Sequence, residues 1–149
     1  MDRMELAKLV RQAGELYAKE NSQSGFNSTT LRGMCAISSF SLQSLFEKHG
    51  FKSQVYEVQF GRPKHHHTFV VTEDNFVYDT TASQFGKENV LVAKYPYWMY
   101  KKPWKIHKDL YSAQDWREHE RPTPDKIEQI LYYTEKFKET SGQLVTQGV

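Results

Sequence analysis

A chain of 149 residues with 20 basic and 18 acidic side chains carries a formal charge of only +2, so its overall field selects neither nucleic acid nor an anionic membrane surface. With 38% apolar and 14% aromatic residues it has too many core formers to stay disordered, and its length suits a single domain over residues 1–149. Its one cysteine, Cys35, excludes an intrachain disulfide and suits a reducing, cytoplasmic setting.

The opening stretch "MDRMELAKLVRQAGEL" has charges every few residues and lacks the apolar core of a signal peptide. Nowhere does an uncharged apolar run approach the roughly 18 residues of a membrane span. Leu6, Leu9, Val10, Ala13, Leu16 and Tyr17 recur at helical spacing, which predicts an amphipathic helix over residues 3–20. The Ser-, Asn-, Thr- and Gly-rich "NSQSGFNSTTLRG" then predicts a loop that delivers the chain to Cys35.

In "CAISSFSLQSLFEKHG" the residues Ala36, Ile37, Phe40, Leu42, Leu45 and Phe46 occupy more than one face, as a helix surrounded by protein requires, and Gly50 suits its stop. Cys35 therefore falls in the first turn of a buried helix, where unpaired N–H groups and the helix dipole favour a thiolate. "SQVYEVQF", "HTFVV" and "NFVYDT" read as strands, the last two joined through "TEDN". A turn centred on Glu73 sets His67 directly opposite Asp79, on one face of the hairpin.

Residues 93–111 mix aromatics, lysines and prolines and are expected to form an irregular cover over the sheet, with Trp98 and Trp104 as candidates for lining a cleft. A short helix is expected from Ser112, capped with Asp115. Thr123 and Pro124 open a last helix whose stripe is Ile127, Ile130, Leu131, Thr134 and Phe137, and the polar residues 140–149 are expected to form a loose tail.

A thiol at a helix start, a histidine on a strand and a carboxylate across from it are the parts of nucleophilic catalysis: Cys35 to attack, His67 to move the proton, Asp79 to orient the ring. Packing is the alternative role for Cys35, and ion pairing with Arg32 or a turn cap for Asp79. The run His65 to His67 also raises a zinc site, with His65 and His67 on one face beside Asp79 or Cys35. The phase of Phe69 and Val71 favours His67 as a base, so no metal or cofactor is expected, and His65 is a candidate for substrate contact. An oxyanion would take the Cys35 backbone N–H as one donor and Asn27 or Thr29 as the other.

"RGMCAISSFSLQSLFEKHGFKSQVYEV" resembles the nucleophile segment of transglutaminase-like cysteine enzymes, with a glycine two residues before the cysteine, a helix, then glycine and a strand. "HTFVVTEDNFVYDTTASQF" resembles the second half of the same superfamily: His67, Phe69 two residues later, a hairpin, then Asp79, Thr81, Gln84 and Phe85. Thr80 stands where many relatives have proline. Spanning residues 32–85, the resemblance implies an α+β, papain-like core in which a cysteine-bearing helix packs on an antiparallel sheet that carries the histidine and the aspartate. It also implies acyl transfer through a Cys35 thioester. Hydrolysis of an amide bond in a protein or peptide, by a peptidase or deamidase, is the first expectation. The alternatives are a transglutaminase or other acyltransferase with an amine acceptor, and a catalytically silent binding module on the same fold.

Overall fold

The computed structural model describes the backbone of residues 1–60, 65–95, 104–105 and 118–147, and the side chains of these except 60, 65, 104, 105 and 141–147. The expected helix from Ser112 and the candidate Trp98 lie outside the described residues.

The fold is α+β. Helix α1 spans Arg3–Glu20, α2 Cys35–Lys48 and α3 Pro124–Gln147. The strands are β1 Ser53–Phe60, β2 His65–Thr72, β3 Phe76–Asp79, β4 Leu91–Lys94 and the two-residue β5 Trp104–Lys105. They pair antiparallel in the order β4-β3-β2-β1-β5.

Three of the helix boundaries have a local cause in the sequence. At the start of α1, Asp2 Oδ1 accepts from the Glu5 N–H at 2.8 Å while Glu5 Oε2 accepts from the Asp2 N–H at 3.1 Å, a reciprocal cap that satisfies two orphan donors. At the end of α2, Gly50 turns left-handed with φ +81°, its N–H donates to Glu47 O at 3.0 Å and the Phe51 N–H donates to Phe46 O at 2.9 Å. The Phe46 and Phe51 rings close this motif edge to face, 6.1 Å apart. Pro124 opens α3, where a missing N–H costs nothing. The helical backbone of α3 runs on to Gln147, through most of the residues 140–149 read from the sequence as a loose tail.

All three helices share a core with one face of the sheet: Leu6, Val10, Ile37, Phe46 and Ile130 pack with Val55, Val70 and Tyr78. Fully burying a side chain such as Phe46 contributes about 1.5–3 kcal/mol. Val58, Phe69, Val71, Val77, Ala82 and Leu91 form a second cluster. His67 is the cross-strand partner of Val58 and lies two residues before Phe69, so strand alternation sets it in phase with this second group.

The hairpin register differs from the expectation. Val70 pairs with Tyr78 and Val71 with Val77, so the turn is centred on Asp74 rather than Glu73, and His67 stands diagonal to Asp79 rather than directly opposite. The cause is a three-residue loop over residues 73–75: the Asn75 N–H donates to Thr72 O at 2.9 Å and Asn75 itself turns left-handed with φ +64°, which moves the centre of the turn one residue along the chain and the pairing by two. A two-residue slip in pairing preserves the face. Most of residues 93–111, expected to form an irregular cover, lie outside the described residues; of the described ones, Ala93 and Lys94 belong to β4, which lies along β3 from Phe76↔Lys94 to Asp79↔Leu91, and Trp104 and Lys105 form β5, which lies along β1. At four and two residues both are too short for an apolar period to develop.

Candidate active site

The loop before Cys35 is folded by its own polar groups. Asn27 Oδ1 accepts from the Thr29 N–H at 2.9 Å and the Thr30 N–H at 3.0 Å, and the Leu31 N–H donates to Asn27 O at 2.7 Å. Leu31 adopts φ +58°, unusual for a branched residue, and is held there by complete burial of its side chain. Gly33 follows at φ +87°, where a Cβ would meet Glu120 Oε1 at 3.0 Å and the Phe26 ring at 3.2 Å. This path delivers Cys35 as the first residue of α2, with the open N–H groups of a helix terminus around it.

His67 and Asp79 are sealed, at 0% and 1% exposure, and Cys35 is also buried, at 9% the most exposed of the three. His67 Nε2 lies 2.5 Å from Asp79 Oδ2. Asp79 Oδ1 accepts from the Thr81 N–H at 2.9 Å, so both carboxylate oxygens are engaged and its plane is fixed. Cys35 is the other ionisable neighbour of His67, close enough for its thiol to act on the charge of the imidazole. With Nε2 taken by Asp79, Nδ1 is the ring nitrogen left for sulfur.

Gln84 and Phe85 complete the surroundings. Gln84 Nε2 donates to Thr81 O at 3.1 Å and stands 3.5 Å from His67 Nδ1. The Phe85 ring meets the imidazole edge to face, with centroids 4.8 Å apart. Burial by itself opposes charge on His67. The Asp79 carboxylate and its hydrogen bond, joined by the neighbouring Cys35, outweigh that penalty and push the His67 pKa from 6.5 up to about 10. An imidazolium sustained in this way can balance negative charge on a neighbouring sulfur.

The structure thus brings Cys35, His67 and Asp79 together. Asn27 and Thr29 lie on the exposed loop, where the Asn27 carboxamide oxygen is turned onto the loop's own amides and the Thr29 carbonyl accepts from Arg11. His65 and Trp104 are described in backbone only, in β2 and β5. His66, on the opposite side of β2 from His67, places Nδ1 2.6 Å from Oε1 of the buried Glu57. Among the described residues no group of three or more His, Cys, Asp or Glu side chains is arranged to hold a metal ion, and no helix is long and apolar enough to cross a membrane.

Arg11 and Ser83 are the neighbours that sequence reasoning missed. Arg11 interrupts a buried stripe of small residues on α1, Ala7, Gly14 and Ala18, at spacings of four, three and four. A charge on the buried side of an amphipathic helix was the available signal, because such a group has to find partners inside the fold. No protein-family model, curated protein or solved structure matches the chain.

Proposed function

We propose that the protein is a cysteine-dependent amide hydrolase, a peptidase or deamidase, working through a Cys35 thioester on a papain-like, transglutaminase-like core. One observation carries the reading: a sealed imidazole bonded to a carboxylate and neighboured by the lone cysteine, at a helix N-terminus.

In this reading Cys35 gives its proton to His67 Nδ1 and the sulfur attacks the amide carbon. The C–S bond forms as the carbonyl π pair moves onto oxygen, where the Cys35 backbone N–H donates to it. As the carbonyl re-forms and the C–N bond breaks, the imidazolium passes its proton to the leaving nitrogen. A water then gives a proton to neutral His67 and its oxygen attacks the thioester, the C–S bond breaks, and the imidazolium returns the proton to sulfur. Asp79 holds the tautomer and balances the imidazolium throughout. A primary amine in the place of that water would give transfer instead of hydrolysis. The lone reduced thiol is consistent with work in a reducing, cytoplasmic compartment, on protein or peptide substrates.

The test is the rate of iodoacetamide alkylation against pH, for the native chain and for His67→Ala. Alkylation that persists at pH 6 and is lost on removing His67 supports the reading and licenses screening of peptide amides with and without added amine. A thiol that reacts only in the ordinary range near pH 8.5, with no response to His67, refutes it.

A further inference from the structure

Arg11 lies on α1, yet its guanidinium is almost wholly buried, at 4% exposure, and all its nitrogens are engaged. Nη1 donates to Thr80 O at 3.0 Å and Ser83 Oγ at 2.7 Å, Nη2 donates to Thr29 O at 2.6 Å, and Nε donates to Glu15 Oε1 at 2.9 Å. Ser83 Oγ passes its own proton on to Thr30 O at 3.0 Å. Thr80 is the residue after Asp79, inside the turn whose Thr81 N–H fixes the Asp79 carboxylate. Thr29 and Thr30 belong to the loop that sets the start of α2 and hence Cys35. One rigid fork therefore grips two segments about fifty residues apart, each leading directly into a member of the Cys35, His67 and Asp79 group.

We propose that Arg11, through Ser83, is a positioning residue for that group: it sets the Asp79 turn against the Cys35 loop, so that both sides of the His67 ring are held at once. The proposal rests on the thiol-nucleophile reading above. Lysine cannot replace this arginine, since a single ammonium has no planar fork with which to span Thr80 and Thr29. A buried guanidinium is also costly unless every N–H is satisfied, so the loss of any arm is felt by the others.

The experiment uses the full chain as Arg11→Met, Arg11→Lys and Ser83→Ala, with Arg3→Met as control. Arg3 ties α1 to Asp74 in the β2–β3 turn and is not part of the Arg11 network. Two readouts are taken well below each variant's own melting temperature. One is the imidazole N–H resonance of His67 bonded to Asp79, assigned by its absence in His67→Gln; the other is alkylation at pH 6. The expected result is that both Arg11 variants and Ser83→Ala shift or lose the resonance and slow alkylation, by about ten- to a hundredfold for Arg11→Met, while Arg3→Met leaves both unchanged. Folded Arg11 and Ser83 variants that keep the native resonance overturn the proposal. If Arg11→Met does not fold, Arg11→Lys and Ser83→Ala decide the matter by the same signal. If native alkylation shows no dependence on His67, the hydrolase reading fails, while the resonance still decides whether Arg11 positions His67.

Discussion

His67 Nε2 and Asp79 Oδ2 lie 2.5 Å apart although their residues sit on a diagonal of the β2–β3 hairpin rather than directly opposite. Two residues that share a face remain within reach across such a diagonal when one of them carries a long ring. The carboxylate thereby occupies Nε2, and Nδ1 is the ring nitrogen left to exchange a proton with a neighbour.

Replacing Asp79 by asparagine keeps the shape but removes the charge that sustains the imidazolium. The His67 pKa is expected to fall from about 10, since burial alone acts downward. Alkylation of Cys35 at pH 6 should slow at least about tenfold, as it does when a triad carboxylate no longer holds its histidine. Titration of His67 by NMR alongside the alkylation profile checks both effects; an unchanged titration would rule out Asp79 as the cause of the shift.

The same pair makes stability depend on pH in a definite direction. Below pH 6.5 the folded and unfolded chains both hold the His67 proton and its contribution is complete; between 6.5 and about 10 only the folded chain holds it, so stability falls as pH rises. The difference in melting temperature between the native chain and His67→Gln should therefore shrink from pH 6 to pH 10. A difference that stayed flat or widened would mean that His67 is not charged in the folded state.

Gly33→Ala introduces a Cβ at φ +87° against Glu120 and Phe26. The left-handed conformation alone costs a side-chain-bearing residue about 1–2 kcal/mol. Because Gly33 lies two residues before Cys35, the displaced loop should lower thiol reactivity as well as stability. Urea unfolding combined with alkylation measures the two effects separately.

Leu31 sets two effects of known size against each other. Its side chain is fully buried, so Leu31→Ala should cost about 2–5 kcal/mol. Its φ of +58° is one that glycine accepts freely and alanine does not, a preference worth about 1–2 kcal/mol. Leu31→Gly should then be the more stable of the two variants, reversing the usual order, with both below the native chain. Alanine ranking above glycine in denaturant melts would mean that the loop relaxes out of the left-handed turn.

What could be read along the chain was whatever a few neighbouring residues decide between themselves. The period of Leu6, Val10, Ala13 and Tyr17, the glycine stop at Gly50 and the proline start at Pro124 act over one or two helical turns, and the helices begin and end where these signals stand. The phase of His67 with Phe69 and Val71 was legible for the same reason, because strand alternation is local. The shared face of His67 and Asp79 came with it, since the hairpin slip was an even number of residues.

Tertiary structure alone decided the rest. The backbone conformation of Asn75 set the hairpin register, a choice between left-handed and ordinary turns that differ by little in free energy. The short strands β4 and β5 exist because an existing sheet edge offers them hydrogen bonds, not because their residues favour a strand. The joining of Arg11 to Thr80, Ser83 and Thr29 has no sequence spacing of its own: a buried guanidinium binds whichever carbonyls the fold leaves unpaired. The chemistry of the group can be named from Cys35, His67 and Asp79, whereas its alignment belongs to contacts between segments far apart in the chain.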